Sequence, residues 1–483
     1  NPSRRSMPSI RMAFDSMGRL EGRVPTTPDH PDWKIASEWS RLVARSRYTV
    51  ATNTYAQKFL SLIEDNVPGT NGFQFQAQTP KRRGKGTDIK LNQALEDAYA
   101  EFSRAENFDA RGNLSRVQFE RLAARTVATD GECLAVAIYG DAAGPYGFAY
   151  RLVDPTLLEV DYNKELVHGG NYIKHGVEFT RSGRRVAYHF RQPEESQLGY
   201  MVNDRYHTRL RVPAEDVDHL YLPWAIGAER GMPWMRATTS SMVQMTAYEE
   251  AAVTRARVSA SECGFIQATG DEISPDPDDD ITDYEIDLEP GVLRHLPPGW
   301  EAKAFNSAYP AGEFQVFTKA MLRSIASALG VSYVSLANDL EGVNFSSIRQ
   351  GVLDEREHYK ALQAWMISRL CLRQYERWLK YALLSGRIAG ASILDLDRCR
   401  RVQFIGRRWD WVDPLKDISA TEKEIELGLR SRTATMRERG RDPENTWKEI
   451  QQEREQMAAL GISPQPEPEA EAPQQTQSEQ DEA

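Results

Sequence analysis

Hydrophobic positions in residues 313–386 recur at helical spacing on both sides of a short polar interval. Phe314, Phe317, Met321, Leu322, Ile325 and Leu329 fall at three- and four-residue steps, which predicts a helix with one apolar stripe about a third of its surface wide. Gly330 is placed to end it. The interval from Ser335 to Phe345 then carries Asn338, Asp339, Gly342 and Asn344, residues that favour turns and resist helix continuation. Ser346 fits an N-cap, and Ile348, Val352, Tyr359, Leu362, Met366, Leu370, Trp378 and Leu383 carry the pattern on to Gly386 without a proline. At 1.5 Å per residue this second helix is a rod of roughly 60 Å. Asp354, Glu355, Arg356, Glu357 and Lys360 rule out a membrane span. No heptad seam persists along it, which leaves a beam joining separate bodies.

Elsewhere the pattern switches between periods. Residues 1–33 show little periodicity and read as an arm ordered only against a neighbour. Helical patterns follow at Tyr55–Ile63, Leu91–Phe102 and Phe119–Val127, and a further long helix runs from Met235 to about Glu262 with Met242, Met245 and Tyr248 on one side. Strand signals occupy Cys133–Tyr139 and Phe148–Val153, then a hairpin of Tyr172–Phe179 with Val186–Phe190 turning at Arg181–Arg184, then Leu210–Val212 and Val217–Leu222. Short strands are expected at Gly264–Ala268, Tyr284–Leu288 and Val292–Leu296, with another strand-like stretch at Arg398–Trp411. Helices followed by a block of hairpins make an α+β body. Two last helices are expected at about Ala420–Arg430 and Pro443–Leu460, before a Pro-, Gln- and Glu-rich tail from Pro464.

Composition narrows the function. The chain has 483 residues, enough for roughly three domain-sized bodies. Its net charge of −10 argues against a protein that grips nucleic acid through many phosphate contacts. A conduit through which DNA slides is different, because each tight contact adds friction. Cys133, Cys263, Cys371 and Cys399 are too dispersed for a zinc site. The basic loop Lys81–Thr87 fails the phosphate-loop spacing, because Gly86 separates Lys85 from Thr87. The acidic run Asp276–Asp280 lacks the Gly and terminal Glu of a calcium loop, so both stretches read as solvated loops. No hydrolase, metalloprotease or dinucleotide fingerprint occurs, and His175, His189 and His219 sit in strand-like segments as structural residues. No catalytic residue, metal or cofactor is expected.

The run Leu322–Tyr333 with Asn344–Arg349 and the long helix resembles the lambda-type family of bacteriophage portal proteins. Further matching segments are Ala128–Cys133, His175–Phe179 with Val186–Phe190, and Val212–His219 through Arg230-Gly-Met-Pro-Trp234, the most specific of them. Together they cover most of residues 40–460, with a departure at Ala225–Ala228. The resemblance implies a portal fold with an arm at 1–33, a wing body at 34–233, stem helices at 234–262 and 313–330, and a clip at 263–312. A channel loop at 331–345, a long wing helix at 346–386, a return strand at 387–413, crown helices at 414–463 and a disordered acidic tail at 464–483 complete it. It implies a ring, usually of twelve subunits, at one capsid vertex in the virion, with double-stranded DNA passing through it. Partners would be the terminase large subunit, major capsid and scaffold proteins, and head-completion or adaptor proteins. The channel-facing residues would be Lys319, Arg323, Asn338, Asp339, Leu340, Glu341 and Asn344, with Asp339 and Glu341 repelling phosphates and Lys319 and Arg323 attracting them weakly elsewhere in the stem. An ordinary solvated helix face explains Lys319 and Arg323 equally well. Two other classes stay open: a hydrolase or transferase whose acid/base site is assembled by folding, and a DNA clamp with a basic interior.

Overall fold

The helix starts are written into the sequence as caps. In the computed structural model, which describes residues 30–84, 86–167, 170–191, 209–260, 264–268, 300–304, 313–341, 345–409, 414–438 and 443–460, Pro31–Thr52 opens with His30 as cap and Pro31 in its first turn. Thr54–Asn66 starts where Asn53 Oδ1 accepts the Ala56 N–H at 3.0 Å, and Arg116–Asp130 starts at a capping box of Ser115 and Gln118. Asp276–Asp280, the strands expected at 284–288 and 292–296, Cys263, Asn344, most of the 1–33 arm and the 464–483 tail lie outside the described residues.

The chain divides into two compact units, residues 1–72 with 103–373, and residues 73–102 with 374–483. In the first, Glu132–Tyr139 sits between Phe148–Val153 and Val217–Tyr221 in a three-stranded antiparallel sheet. A five-stranded meander runs Lys164–Val167, Asn171–Lys174, Val177–Phe179, Arg185–Arg191, Arg209–Pro213. Leu134, Val136 and Val217 of the first sheet share one core with Val177, Phe179, Tyr188 and Phe190 of the second. The stretch Tyr172–Phe179 was expected as one arm of a hairpin; it is a hairpin by itself. His175 (φ 51°) and Gly176 (φ 79°) make its two-residue turn, and positive φ at both central positions is the backbone that matches strand twist. Gly264–Ala268 is a strand as expected, paired with Trp300–Ala304.

The segment Arg230–Trp234 and the end of helix Arg116–Asp130 form the joint of this unit. Gly131 has φ 89°, and a Cβ there would lie 2.2 Å from the Met232 carbonyl carbon, so only glycine allows the two backbones to touch. That approach puts Glu132 against Arg230, both fully buried. Arg230 Nε donates to the Glu132 carboxylate at 2.8 and 2.9 Å, and its Nη1 donates to the carbonyls of Leu158 (2.9 Å) and His175 (3.0 Å). The Glu132 carboxylate also takes the Gly231 N–H at 3.1 Å and His219 Nε2 at 3.0 Å, and Trp39 lies under the guanidinium at 4.7 Å. Burial alone would raise the Glu132 carboxyl, but Arg230 and His219 outweigh it and hold it down at about 2. Burial pushes the His219 imidazole down to about 4. His219 is therefore neutral near pH 7, its Nε2–H donating to Glu132.

In the second unit Gln74–Ala77 pairs with Val402–Ile405. Around that pair Phe75, Tyr99, Tyr375, Trp378 and Phe404 interlock, Tyr99 meeting Phe75 at 4.5 Å and the edge of Trp378 at 4.9 Å. The exposed basic loop after Pro80 is tied down by Arg82, whose guanidinium reaches Asp395 at 2.6 Å. The expected long helix is present as Phe345–Met366 and a π turn Ile367–Cys371 in the first unit, followed by Leu372–Leu384, most of which belongs to the second. Helices Pro414–Glu426, Arg432–Glu438 and Pro443–Ala459 end the described chain.

Candidate functional site

Two helices of the first unit carry the polar interval. Thr239–Ala260 packs along Glu313–Leu329, with Tyr248 stacked on Phe314 at 5.4 Å and edge-on to Phe317 at 5.1 Å. The first of them is anchored where Asn53 Nδ2 donates to Thr246 Oγ1 at 2.8 Å and Tyr55 donates to Glu249 at 3.3 Å. Glu313–Leu329 ends as expected at Gly330 (φ 69°): the Val331 N–H returns to the Ala326 carbonyl and the Gly330 N–H to that of Ser327, a Schellman closure.

The interval was expected as loop throughout, and its first part is a short helix, Tyr333–Ala337. Ser332 caps it, accepting the Ser335 N–H at 3.1 Å. Ser335 Oγ in turn donates to Glu355 at 2.8 Å, and Tyr359 donates to the other Glu355 oxygen at 2.8 Å, so the short helix is pinned to Phe345–Met366. Asn338 stops it in the left-handed region (φ 52°, ψ 27°), which asparagine tolerates.

Beyond Asn338 the acids and bases are gathered into one cluster. Lys319 Nζ lies 3.2 Å from Asp339 and 3.5 Å from Glu341. Asp339 also takes the Tyr333 hydroxyl at 2.6 Å and the Glu341 N–H at 3.0 Å. Those bonds, Tyr333 first, hold its carboxyl down at about 2, while burial and Asp339 push the Tyr333 phenol up to about 12. Arg323 stands over the Tyr333 ring at 5.4 Å, Gln315 donates to Glu341 at 3.2 Å, and Leu340 is exposed. The sequence reading put the acids at one level and the bases at another. In the structure Lys319 bridges both acids and Arg323 covers the tyrosine that holds one of them. Tyr333, Gln315, Ser332 and Glu355 were missed as site residues; the Ser332–Ser335 spacing was the one cue, a cap signature hidden by the turn residues after it.

The profile of the family described as phage portal protein, lambda family, matches residues 17–363. The chain belongs to the lambda family of phage portal proteins. It is 31% identical over 445 residues to the probable portal protein of Halomonas phage phiHAP-1, covering 89% of this chain and 83% of that one. It is 20% identical to portal protein B of Escherichia phage lambda, covering 92% of this chain and 89% of that one. Among solved structures, the neck of a native gene transfer agent particle, computed with C12 symmetry, aligns with a TM-score of 0.44 at 13% identity, over 82% of this chain and 92% of that one. Family membership carries the general function of a portal: a ring of like chains around a DNA channel at the viral capsid. Among the described residues no helix is long and apolar enough to cross a membrane.

Proposed function

We propose that twelve copies of this portal-family chain close around duplex DNA at one capsid vertex, with residues 335–344 lining the narrowest point of the channel. The genome passes through during packaging and again during ejection. Residues 263–312 face the terminase large subunit during packaging and the head-completion proteins afterwards, and the crown helices 414–463 point into the capsid. The chain performs no reaction of its own, and ATP is consumed by the separate motor.

The observation that supports this reading is the charge balance of the cluster. Lys319 and Arg323 against Asp339 and Glu341 sum to zero, and each base is committed to a partner within hydrogen-bonding or ring-contact distance. Duplex DNA presents one phosphate charge every ~1.7 Å of its axis, so a strongly basic rim would hold it and a strongly acidic one would repel it. A neutral, polar rim on a pinned short helix lets it slide. The test is electron microscopy of the purified chain. A closed ring of twelve with residues 338–341 at the axial opening is expected; monomers at assembly concentrations, or that segment on the outer rim, would end the proposal.

A further inference from the structure

The basic loop after Pro80 in the second unit is held in place, yet its charge is left uncompensated. Pro80 bridges Thr87, the Lys81 N–H donates to the Gly86 carbonyl at 3.1 Å and the Asp88 N–H to that of Thr79 at 2.8 Å, so backbone bonds close its base. Arg82 reaches Asp395 through two bonds of 3.1 and 2.6 Å, and Arg398 donates to the Pro80 carbonyl at 2.7 Å. That fastening takes up the acids of this region: Asp395 pairs with Arg82 and Arg398, Asp88 with Arg398, and Asp397 with Arg400. Lys81, Arg83 and Arg401 are exposed, and among the described residues no carboxylate pairs with them. Arg401 stands at the same end of the strand pair, its carbonyl accepting the Gln78 N–H at 2.8 Å. A Cβ on Gly84 would meet nothing within 4 Å, so the space over the loop is open.

Charge names an occupant. Residues 464–483 hold six carboxylates, on Glu467, Glu469, Glu471, Glu479, Asp481 and Glu482, and no Lys or Arg, which is more than half of the chain's net charge of −10. These acids follow Leu460, the last described residue, by 7 to 22 positions, a reach of roughly 20–75 Å for extended chain. Single exposed pairs are weak, but a tether supplies an effective concentration of about millimolar, so several pairs acting together outcompete free anions.

We propose that the acidic segment 464–483 lies on the Lys81–Arg83 loop of its own chain and shields it from nucleic acid. An open cationic loop would capture phosphates of DNA that has to keep moving. The segment supplies the carboxylates that the fold leaves out there, and salt or a stronger polyanion displaces it. The contact lies within one chain and holds with or without a ring, so its failure and the failure of the ring reading are separate results.

The test begins with a carbodiimide, which joins an ammonium to a carboxylate only where the two already touch. Isotope-labelled and unlabelled full chains are mixed before assembly, treated at low salt and digested, and the joined peptides are read by mass spectrometry. Lys81 should be linked to a carboxylate of residues 464–483 with both halves of one isotope, and high salt should abolish the product. No such product at low salt, or one that mixes isotopes and so gives the segment to a neighbouring copy, would overturn the proposal. A second arm measures binding of a short duplex DNA at low salt. A segment that covers the loop about nine-tenths of the time leaves about a tenth free, so deleting residues 464–483 should strengthen binding about tenfold. Lys81→Gln with Arg83→Gln in the shortened chain should remove that gain, whereas Arg111→Gln with Arg369→Gln, two exposed cations of the first unit, should leave it in place. A deletion without gain, a gain that survives the loop substitutions, or an equal loss from the first-unit pair would overturn the shield.

Discussion

Two charge clusters in the first unit use the same chemistry to opposite ends. Around Arg230 a guanidinium and a carboxylate are sealed from water, with backbone carbonyls, a backbone N–H and an imidazole taking up their remaining bonds. Around Lys319 an ammonium bridges two carboxylates at the surface, and the Glu341 side chain is 75% exposed. A buried pair has no water to replace a lost partner, so it fixes geometry. An exposed pair can exchange its partner for water, salt or a phosphate at little cost. The first cluster is a joint between two backbone segments; the second is a surface that a passing polyanion can meet without a large change in energy.

The largest effect should come from splitting the buried pair. Glu132→Leu leaves Arg230 uncompensated and should cost about 3–5 kcal/mol of stability. Adding Arg230→Met should return part of that loss, because it removes the unpaired charge while the Gly231 N–H and the Leu158 and His175 carbonyls stay without their partners. Urea unfolding of the wild type, the single and the double variant measures it. A single-variant cost below about 1 kcal/mol would mean that the joint is not held by charge.

Acid should act on the same joint next most strongly. Burial lowers His219 to about 4 in the folded chain, so the unfolded chain binds that proton first as pH falls. Its contribution is full above about pH 6.5 and is lost as pH falls toward 4, on the order of 3 kcal/mol. His175 and His358, also lowered by burial, act in the same direction. Melting temperature across pH 4–7 should drop steeply for the wild type and less for His219→Gln, which keeps an N–H for Glu132 but cannot titrate. Equal slopes would place the acid sensitivity elsewhere. Gly131→Ala comes third, at about 2 kcal/mol or more, because the added carbon combines a left-handed backbone with a backbone collision.

How much of this was legible depended on whether the cause was local. The Glu313–Leu329 helix, its glycine stop and the long helix after it follow from periodicity, so they read off the sequence, although Ser346, expected as the cap, is the second residue of the long helix. The Phe148–Val153 strand emerged with its predicted ends for the same reason. The His175-Gly176 turn was missed because histidine rarely takes positive φ, and here a buried site holds it: its Nδ1 pairs with the Val160 carbonyl at 2.9 Å and its own carbonyl is claimed by Arg230. The strand Gln74–Ala77 was missed because its partner lies more than 300 positions away. In the site, Lys319, Arg323, Asp339 and Glu341 were singled out by type and place. That one lysine spans both acids could not be read, since the short helix that brings them together hides among turn-forming residues.

The smallest expected effect on stability sharpens the comparison most. Replacing Asp339 and Glu341 by Lys breaks one exposed pair, Lys319–Glu341, and one half-buried pair, Lys319–Asp339, together worth about 1–2 kcal/mol, so folding and ring assembly should survive. The rim would change far more than the fold. Four positive charges per copy would replace a balanced set, and every copy in the ring would add its own. Each lysine that captures a phosphate releases a counterion and makes holding salt-dependent, so DNA should move through such a channel haltingly. Packaging rate and genome retention, measured across a range of salt, are the readouts. Low salt should exaggerate the defect and high salt should relieve it, because screening shortens the reach of exposed charges. Packaging and retention that match the wild type at every salt concentration would remove charge balance as the property that matters here and leave only the shape of the opening.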